Sequence, residues 1–167
     1  KYIQEKYQEG IYYFTEEVEI GINALEALKM DDVVIELGLT PNRSDLLSMI
    51  GVAYDVSAAF NRPRKELKYD LKKSNITETV DVTIKTKDCS AYYAIIAKDL
   101  VIKDSPQWLV SRLVAFGARP INNVVDITNY ILALFGQPLH AFDYQKLGNK
   151  IVVRNALKKE KITTLDL

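Results

Sequence analysis

Apolar residues recur at helical spacing in several stretches of the chain. Leu46, Met49, Ile50, Ala53, Val56, Ser57 and Phe60 recur at helical spacing, the pattern of a helix with one buried stripe. Ser44 stands before them as a candidate N-cap, and Asp45 suits the positive end of the first turn. Asn61-Arg62-Pro63-Arg64 closes the stretch. A second helix is expected behind Ser105 as N-cap and Pro106 at the first position. Trp108, Leu109, Leu113, Val114 and Phe116 form its apolar side, and Gly117 stops it. A third runs from about Asn122 to Phe135, capped by Asn122 or Asn123 and ended by Gly136. Its stripe is Val124, Ile127, Ile131 and Leu134, with Thr128 and Phe135 beside it. Asn23 to Met30 shows a shorter helical pattern.

Other runs read as strands. Val80, Val82 and Ile84 alternate with Asp81, Thr83 and Lys85, the mark of a half-buried strand. Ala91 to Leu100 is apolar at its centre, Val33 to Leu37 is rich in β-branched residues, and Ile11 to Phe14 is a short β-prone run. Ile151-Val152-Val153 and Ile162-Thr163-Thr164-Leu165 flank a charged turn, which predicts a hairpin. Helices and strands mix without regular βαβ alternation, so the expected class is α+β. It would comprise a small helix and strand domain, then part of a mixed-sheet domain with packed helices. Residues 61–78 are polar and weakly patterned, and 64–78 read as an interdomain linker between residues 1–63 and 79–167.

Charge narrows the function. Lys plus Arg and Asp plus Glu both number 22. A domain that grips nucleic acid alone is usually strongly basic, so local contact with RNA is compatible and a tight independent grip is not expected. One cysteine, Cys89, forbids an intrachain disulfide and fits a reducing, intracellular setting; Cys89 itself reads as a packed small hydrophobe. Apolar stretches fall far short of the ~20 residues of a membrane span. The first residue is Lys1 and not Met, which points to a longer parent.

Two segments carry more polar chemistry than core building needs. Arg119-Pro120-Ile121-Asn122-Asn123-Val124-Val125-Asp126-Ile127-Thr128-Asn129-Tyr130 concentrates an Arg, an Asp, a Thr and several Asn around one helix. Thr128 and Asn129 fall in the helix interior, where such residues have modest propensity. A structural account is available: Thr bonds back to a carbonyl, and Asn ties down a loop. The second segment is Gly136-Gln137-Pro138-Leu139-His140-Ala141-Phe142-Asp143. His140 is the single histidine and sits in a Pro-bounded loop, where functional residues concentrate. A surface or hydrogen-bonded histidine is the plainer reading. A zinc site lacks ligands, and a Ser-His-Asp arrangement oriented by Asp126 or Asp143 lacks a nucleophile elbow. Phosphate loops and dinucleotide fingerprints are absent.

Both segments resemble consecutive blocks of the editing domain of bacterial phenylalanyl-tRNA synthetase β subunits. Upstream, Glu36-Leu37-Gly38-Leu39-Thr40-Pro41-Asn42-Arg43-Ser44-Asp45 and Gly51-Val52-Ala53-Tyr54-Asp55-Val56 resemble the segment preceding that domain. Arg154-Asn155-Ala156 and Thr163-Thr164-Leu165-Asp166 fit as well, so the resemblance covers essentially the whole chain in order. It implies an internal fragment of that subunit. Residues 1–63 would be a junction domain following an RNA-binding oligonucleotide-fold module, and 79–167 the opening of the editing domain.

The resemblance further implies a cytoplasmic α2β2 ligase acting on phenylalanine-specific tRNA. ATP and magnesium would be used at a synthetic site in the α subunit, with no cofactor in this fragment. The β subunit would remove tyrosine wrongly joined to the tRNA. His140, Asn129 and Thr128 are then the catalytic candidates, and Arg119 and Pro138 the substrate-binding ones. The family's acidic residue for the tyrosine hydroxyl would lie beyond Leu167. A non-catalytic, tRNA-orienting scaffold is the alternative.

Overall fold

The computed structural model describes Tyr12, Phe14, residues 17–70 and residues 75–163. In chain order these form α1 (Ala24–Ala27), a 3-10 turn (Ser44–Leu47), α2 (Met49–Phe60), β1 (Asp81–Ile84), α3 (Gln107–Phe116), α4 (Asn123–Phe135), α5 (Tyr144–Leu147) and β2 (Lys150–Val153). The class is α+β, as expected. Two compact units divide the chain. One takes in residues up to Lys68 together with Val101–Ala141, and holds α1 to α4; the other joins Tyr69–Leu100 to Phe142–Leu167, and holds β1, α5 and β2.

In the helical unit, α2 starts four residues later than its sequence suggests. Ser44 to Leu47 tighten into the 3-10 turn, and Ser48 becomes the N-cap, accepting a hydrogen bond from Gly51 N at 3.1 Å. Asp45 serves that turn and binds Arg43 side chain to side chain. Asn61 ends α2 in the left-handed region at φ 50°, a conformation Asn tolerates. The Asn23 to Met30 pattern shortens to one turn, capped by Asn23. Val33 to Leu37 forms no strand and lies exposed. β-propensity reports fit to a paired, half-buried surface, and no partner strand reaches this run among the described residues.

The packing centre lies between α3 and α4. Leu109 and Leu113 of α3 are each 1% exposed, and Ala133 is buried on α4, which packs against α3. Burying a Leu side chain contributes roughly 1.5–3 kcal/mol, so these two account for much of what holds the helix pair. Trp108 meets Tyr130 edge to face, with ring centroids 5.7 Å apart, a favoured aromatic geometry. On its other side α3 receives the end of α1. The Leu28 carbonyl, the C-cap of α1, accepts from Gln107 Nε2 at 2.9 Å and Ser111 Oγ at 2.6 Å.

Ser105 does not cap α3. Pro106 takes the cap position in an extended conformation, and the Ser105 hydroxyl is drawn away to Asp126. Both glycine stops hold: Gly117 and Gly136 are left-handed at φ 91° and 71°, conformations that cost glycine little. Of the expected apolar stripe on α4, Val124, Ile131 and Leu134 are half-buried and Ile127 is 51% exposed. A second inward line runs through the buried Asp126 and Ala133, with half-buried Asn129 between them. Donors from two loops converge on Asp126, and that turns its side of the helix inward.

In the second unit, β1 and β2 pair in parallel, from Asp81 opposite Lys150 to Ile84 opposite Val153. Bonds from Asp81 N to Asn149 O (2.9 Å) and from Lys85 N to Val153 O (2.7 Å) extend the ladder. β2 therefore pairs with β1 and not in a hairpin with the following run. The turn at Lys158 and Lys159 is present. Ile162 and Thr163 are not in a strand, and Thr164 and Leu165 lie outside the described residues. Ala91 to Leu100 is irregular, with Ile95 94% exposed; as with Val33 to Leu37, propensity finds no partner. In the Ile11 to Phe14 run, Tyr12 and Phe14 are not in a strand, and Ile11 and Tyr13 lie outside the described residues.

Candidate functional site

The polar residues around α4 divide into those committed to local structure and those with polar atoms to spare. Asn122 is the N-cap, its Oδ1 accepting from Val124 N and Val125 N, both at 3.1 Å. Asn123 fastens the preceding chain. Its Nδ2 donates to Val101 O at 3.0 Å, its Oδ1 accepts from Lys103 N at 3.2 Å, and its own N–H donates to Lys103 O at 2.9 Å. Asp126 is fully buried. Its Oδ2 accepts from Ser105 Oγ at 2.5 Å and its Oδ1 from Ile121 N at 2.8 Å. Thr128 Oγ1 donates back to Val125 O at 2.7 Å, the local bond open to a helical Thr. That bond uses the hydroxyl's one proton and leaves its lone pairs.

Asn129 is different. It is half-buried on the inward line of α4, three residues after Asp126 and four before Ala133. Its amide makes no hydrogen bond among the described residues. A primary amide has two N–H donors and a carbonyl acceptor, so Asn129 offers both kinds of contact to a ligand. Arg119 is exposed and lies two residues before Ile121, whose N–H is held by Asp126. Its loop is thereby fixed at the N-terminal end of α4. Pro138 and His140 are exposed and follow the opposite end, after Gly136.

α4 has 13 residues, about 20 Å at 1.5 Å per residue. Thr128 and Asn129 sit between the two loops. All five candidates belong to the helical unit. Thr128 and Asn129 are neighbours on α4, Arg119 precedes its N-terminal end, and Pro138 and His140 follow its C-terminal end.

A separate open cleft of about 310 Å³ in the same unit is lined by Lys29, Asp31, Asp32, Trp108, Ser111 and Arg112. None of the five candidates lines it. Its charged groups are partly spent on each other, since Arg112 NH1 binds Asp32 Oδ2 at 2.7 Å. It is a weaker candidate than α4: it is open, and its Ser111 hydroxyl is engaged by Leu28 and Gln107. The carboxylates held below their usual range lie elsewhere. Asp45 is held down chiefly by Arg43, Glu78 by Lys98, Asp88 by Asn155 and Thr86, and Glu160 by Arg154.

Cys89 is half-buried, with its Sγ 3.3 Å from Ala91 O. Among the described residues no three or more His, Cys, Asp or Glu stand together as a metal would need. No helix there is long and apolar enough to cross a membrane.

Residues 88–167 match the B3/4 domain family. Over 99% of its length the chain is 49% identical to a phenylalanine–tRNA ligase β subunit of Bacillus cereus. It is 50% identical to that of Halalkalibacterium halodurans and 44% to that of Bacillus subtilis, over the same share. Over nearly its whole length the chain is similar to a segment of phenylalanine–tRNA ligase β subunits. It spans 21% of the length of these relatives. The matched B3/4 region takes in α3, α4 and both loops that carry the site candidates. Sequence reasoning passed over Asp126 as an organiser. An acidic residue among helical polar residues gives no sign that its partners are a distant hydroxyl and a loop amide.

Proposed function

We propose that this segment contributes to a post-transfer editing site, which hydrolyses tyrosine wrongly esterified to phenylalanine-specific tRNA. The observation that carries the reading is Asn129: a half-buried amide with unspent donors and acceptor, beside Thr128, between loops bearing Arg119 and His140. The similarity to phenylalanine–tRNA ligase β subunits supports it. In the whole enzyme the partners would be the tRNA and an α subunit in an α2β2 assembly in the cytoplasm, with ATP and magnesium used at the α subunit's synthetic site.

The need for such a site is physical. Tyrosine differs from phenylalanine by one hydroxyl, and an apolar pocket rejects that addition only weakly. A second, hydrolytic site corrects the error. The ester is already activated, so the site must orient rather than supply a strong nucleophile. His140 and Asn129 would position the terminal ribose or the attacking water. Thr128 would face the carbonyl end, and hydrogen-bond donors there would stabilise the developing oxyanion. Arg119 would brace the site or attract the RNA backbone, and Pro138 would shape a wall.

The test offers tyrosyl-tRNA with the phenylalanine tRNA sequence to the complete enzyme carrying His140→Ala or Asn129→Ala. Deacylation should fall roughly a hundredfold in each, with phenylalanylation retained. The structural bonds of Asn122, Asn123, Asp126 and Thr128 favour a second reading, a scaffold that only orients tRNA. Full deacylation in both variants would establish that reading instead.

A further inference from the structure

Asp126 is the one charged side chain in the buried class among the described residues, at 0% exposure. It forms no ion pair there; neutral donors satisfy it, Ser105 Oγ on Oδ2 and Ile121 N on Oδ1. An unpaired carboxylate is costly to bury. A capped turn alone does not require this one, because Asn122 already caps α4. What Asp126 adds is register. It fixes the loop before α3 and the loop before α4 to a single point on the helix. Ile121 lies two residues after Arg119, so Arg119 Cα is within about 7 Å of the tethered residue. Asn129 lies three residues up the helix on the same inward line, a rise of about 4.5 Å. The clamp therefore sets the distance between the loop that carries Arg119 and the helix that carries Thr128 and Asn129.

We infer that Asp126 is a positioning residue for this site, acting through the Ile121 amide to hold Arg119 against α4, with Ser105 bracing the carboxylate. The inference rests on the editing reading. Its test uses the complete enzyme and a double-mutant cycle. Asp126→Asn should lower kcat/KM for deacylation of tyrosyl-tRNA roughly tenfold or more, mainly through KM, with phenylalanylation changed less than about twofold. Ser105→Ala, which removes only the brace, should give a smaller loss in the same direction. In an Arg119→Ala background, Asp126→Asn should add almost nothing, because the residue it positions is gone.

Losses that multiply in that background would overturn the inference, as would a parallel fall in phenylalanylation and thermal stability, the sign of a purely structural carboxylate. Should Asp126→Asn fail to fold, Ser105→Ala in the Arg119→Ala background decides by the same criterion. Normal editing in Asp126→Asn, beside impaired His140→Ala and Asn129→Ala, would reject the clamp and keep the editing site. Normal editing in all of them would reject both.

Discussion

Glu160 holds a turn closed with one carboxylate. Its two oxygens take both terminal nitrogens of Arg154, at 2.8 and 2.7 Å, and one also accepts from Leu157 N at 2.7 Å. The paired guanidinium and that amide favour the charged form, and hold the carboxyl down to about 2 from its ordinary 4.5. Because the folded value is depressed, the pair's contribution is complete above about 4.5 and fades as pH falls from there through about 2. A carboxyl NMR titration should place the Glu160 midpoint near 2, and Arg154→Gln should return it toward the ordinary range. A midpoint unmoved by Arg154→Gln would contradict the pairing. Six positions separate the two residues, so neither helical nor strand spacing announces them. Asn122 and Asn123 show the same limit: either could cap α4 by sequence, and the distinction came from Val101 and Lys103, about twenty positions away.

At the scale of elements, Gly51 decides where α2 can pack. A Cβ built there would lie 1.8 Å from the Asp45 carbonyl oxygen of the preceding 3-10 turn. In an open helix, Gly→Ala would gain about 1 kcal/mol from propensity. Here the turn would have to move, and overpacking of this kind costs about 1–3 kcal/mol. Gly51→Ala should therefore lower the urea midpoint followed by far-UV circular dichroism; a raised midpoint would show that the turn yields freely. Helices were legible because their signals are local: the periods of α2, α3 and α4, with Gly117 and Gly136, lie within a few residues of the ends they set. The cap of α2 moved to Ser48 because a tertiary close approach, and not propensity, chose the 3-10 turn. Strands were legible only where a partner exists. Val82 and Ile84 found β2, whereas Val33 to Leu37 and Ala91 to Leu100 carry equal propensity and no ladder.

At the scale of the molecule, burial among the described residues is concentrated rather than spread. The described buried hydrophobic residues are Leu109, Leu113 and Ala133, all in α3 and α4. The ladder of β1 and β2 has four pairs and no third strand among the described residues, and two-stranded pairings are marginal by themselves in water. Amide exchange follows local opening, which is cheapest where apolar contacts are few and backbone bonds meet solvent. The amides of Leu113, Asp126 and Ala133 should thus exchange slowest. Those of Val82 to Lys85 should exchange faster by one to two orders of magnitude, an opening difference of roughly 1.4–2.8 kcal/mol. Leu113→Ala should abolish that gradient, because a cavity in such a small core costs about 2–5 kcal/mol, most of what separates α3 and α4 from the rest. Hydrogen–deuterium exchange read by NMR on wild type and variant checks both halves. If the strand amides outlasted those of the helix pair, stability would reside in the second unit. The loops bearing Arg119 and His140 would then hang from the softer part of the molecule, where a site that works by holding an ester in place is hardest to maintain.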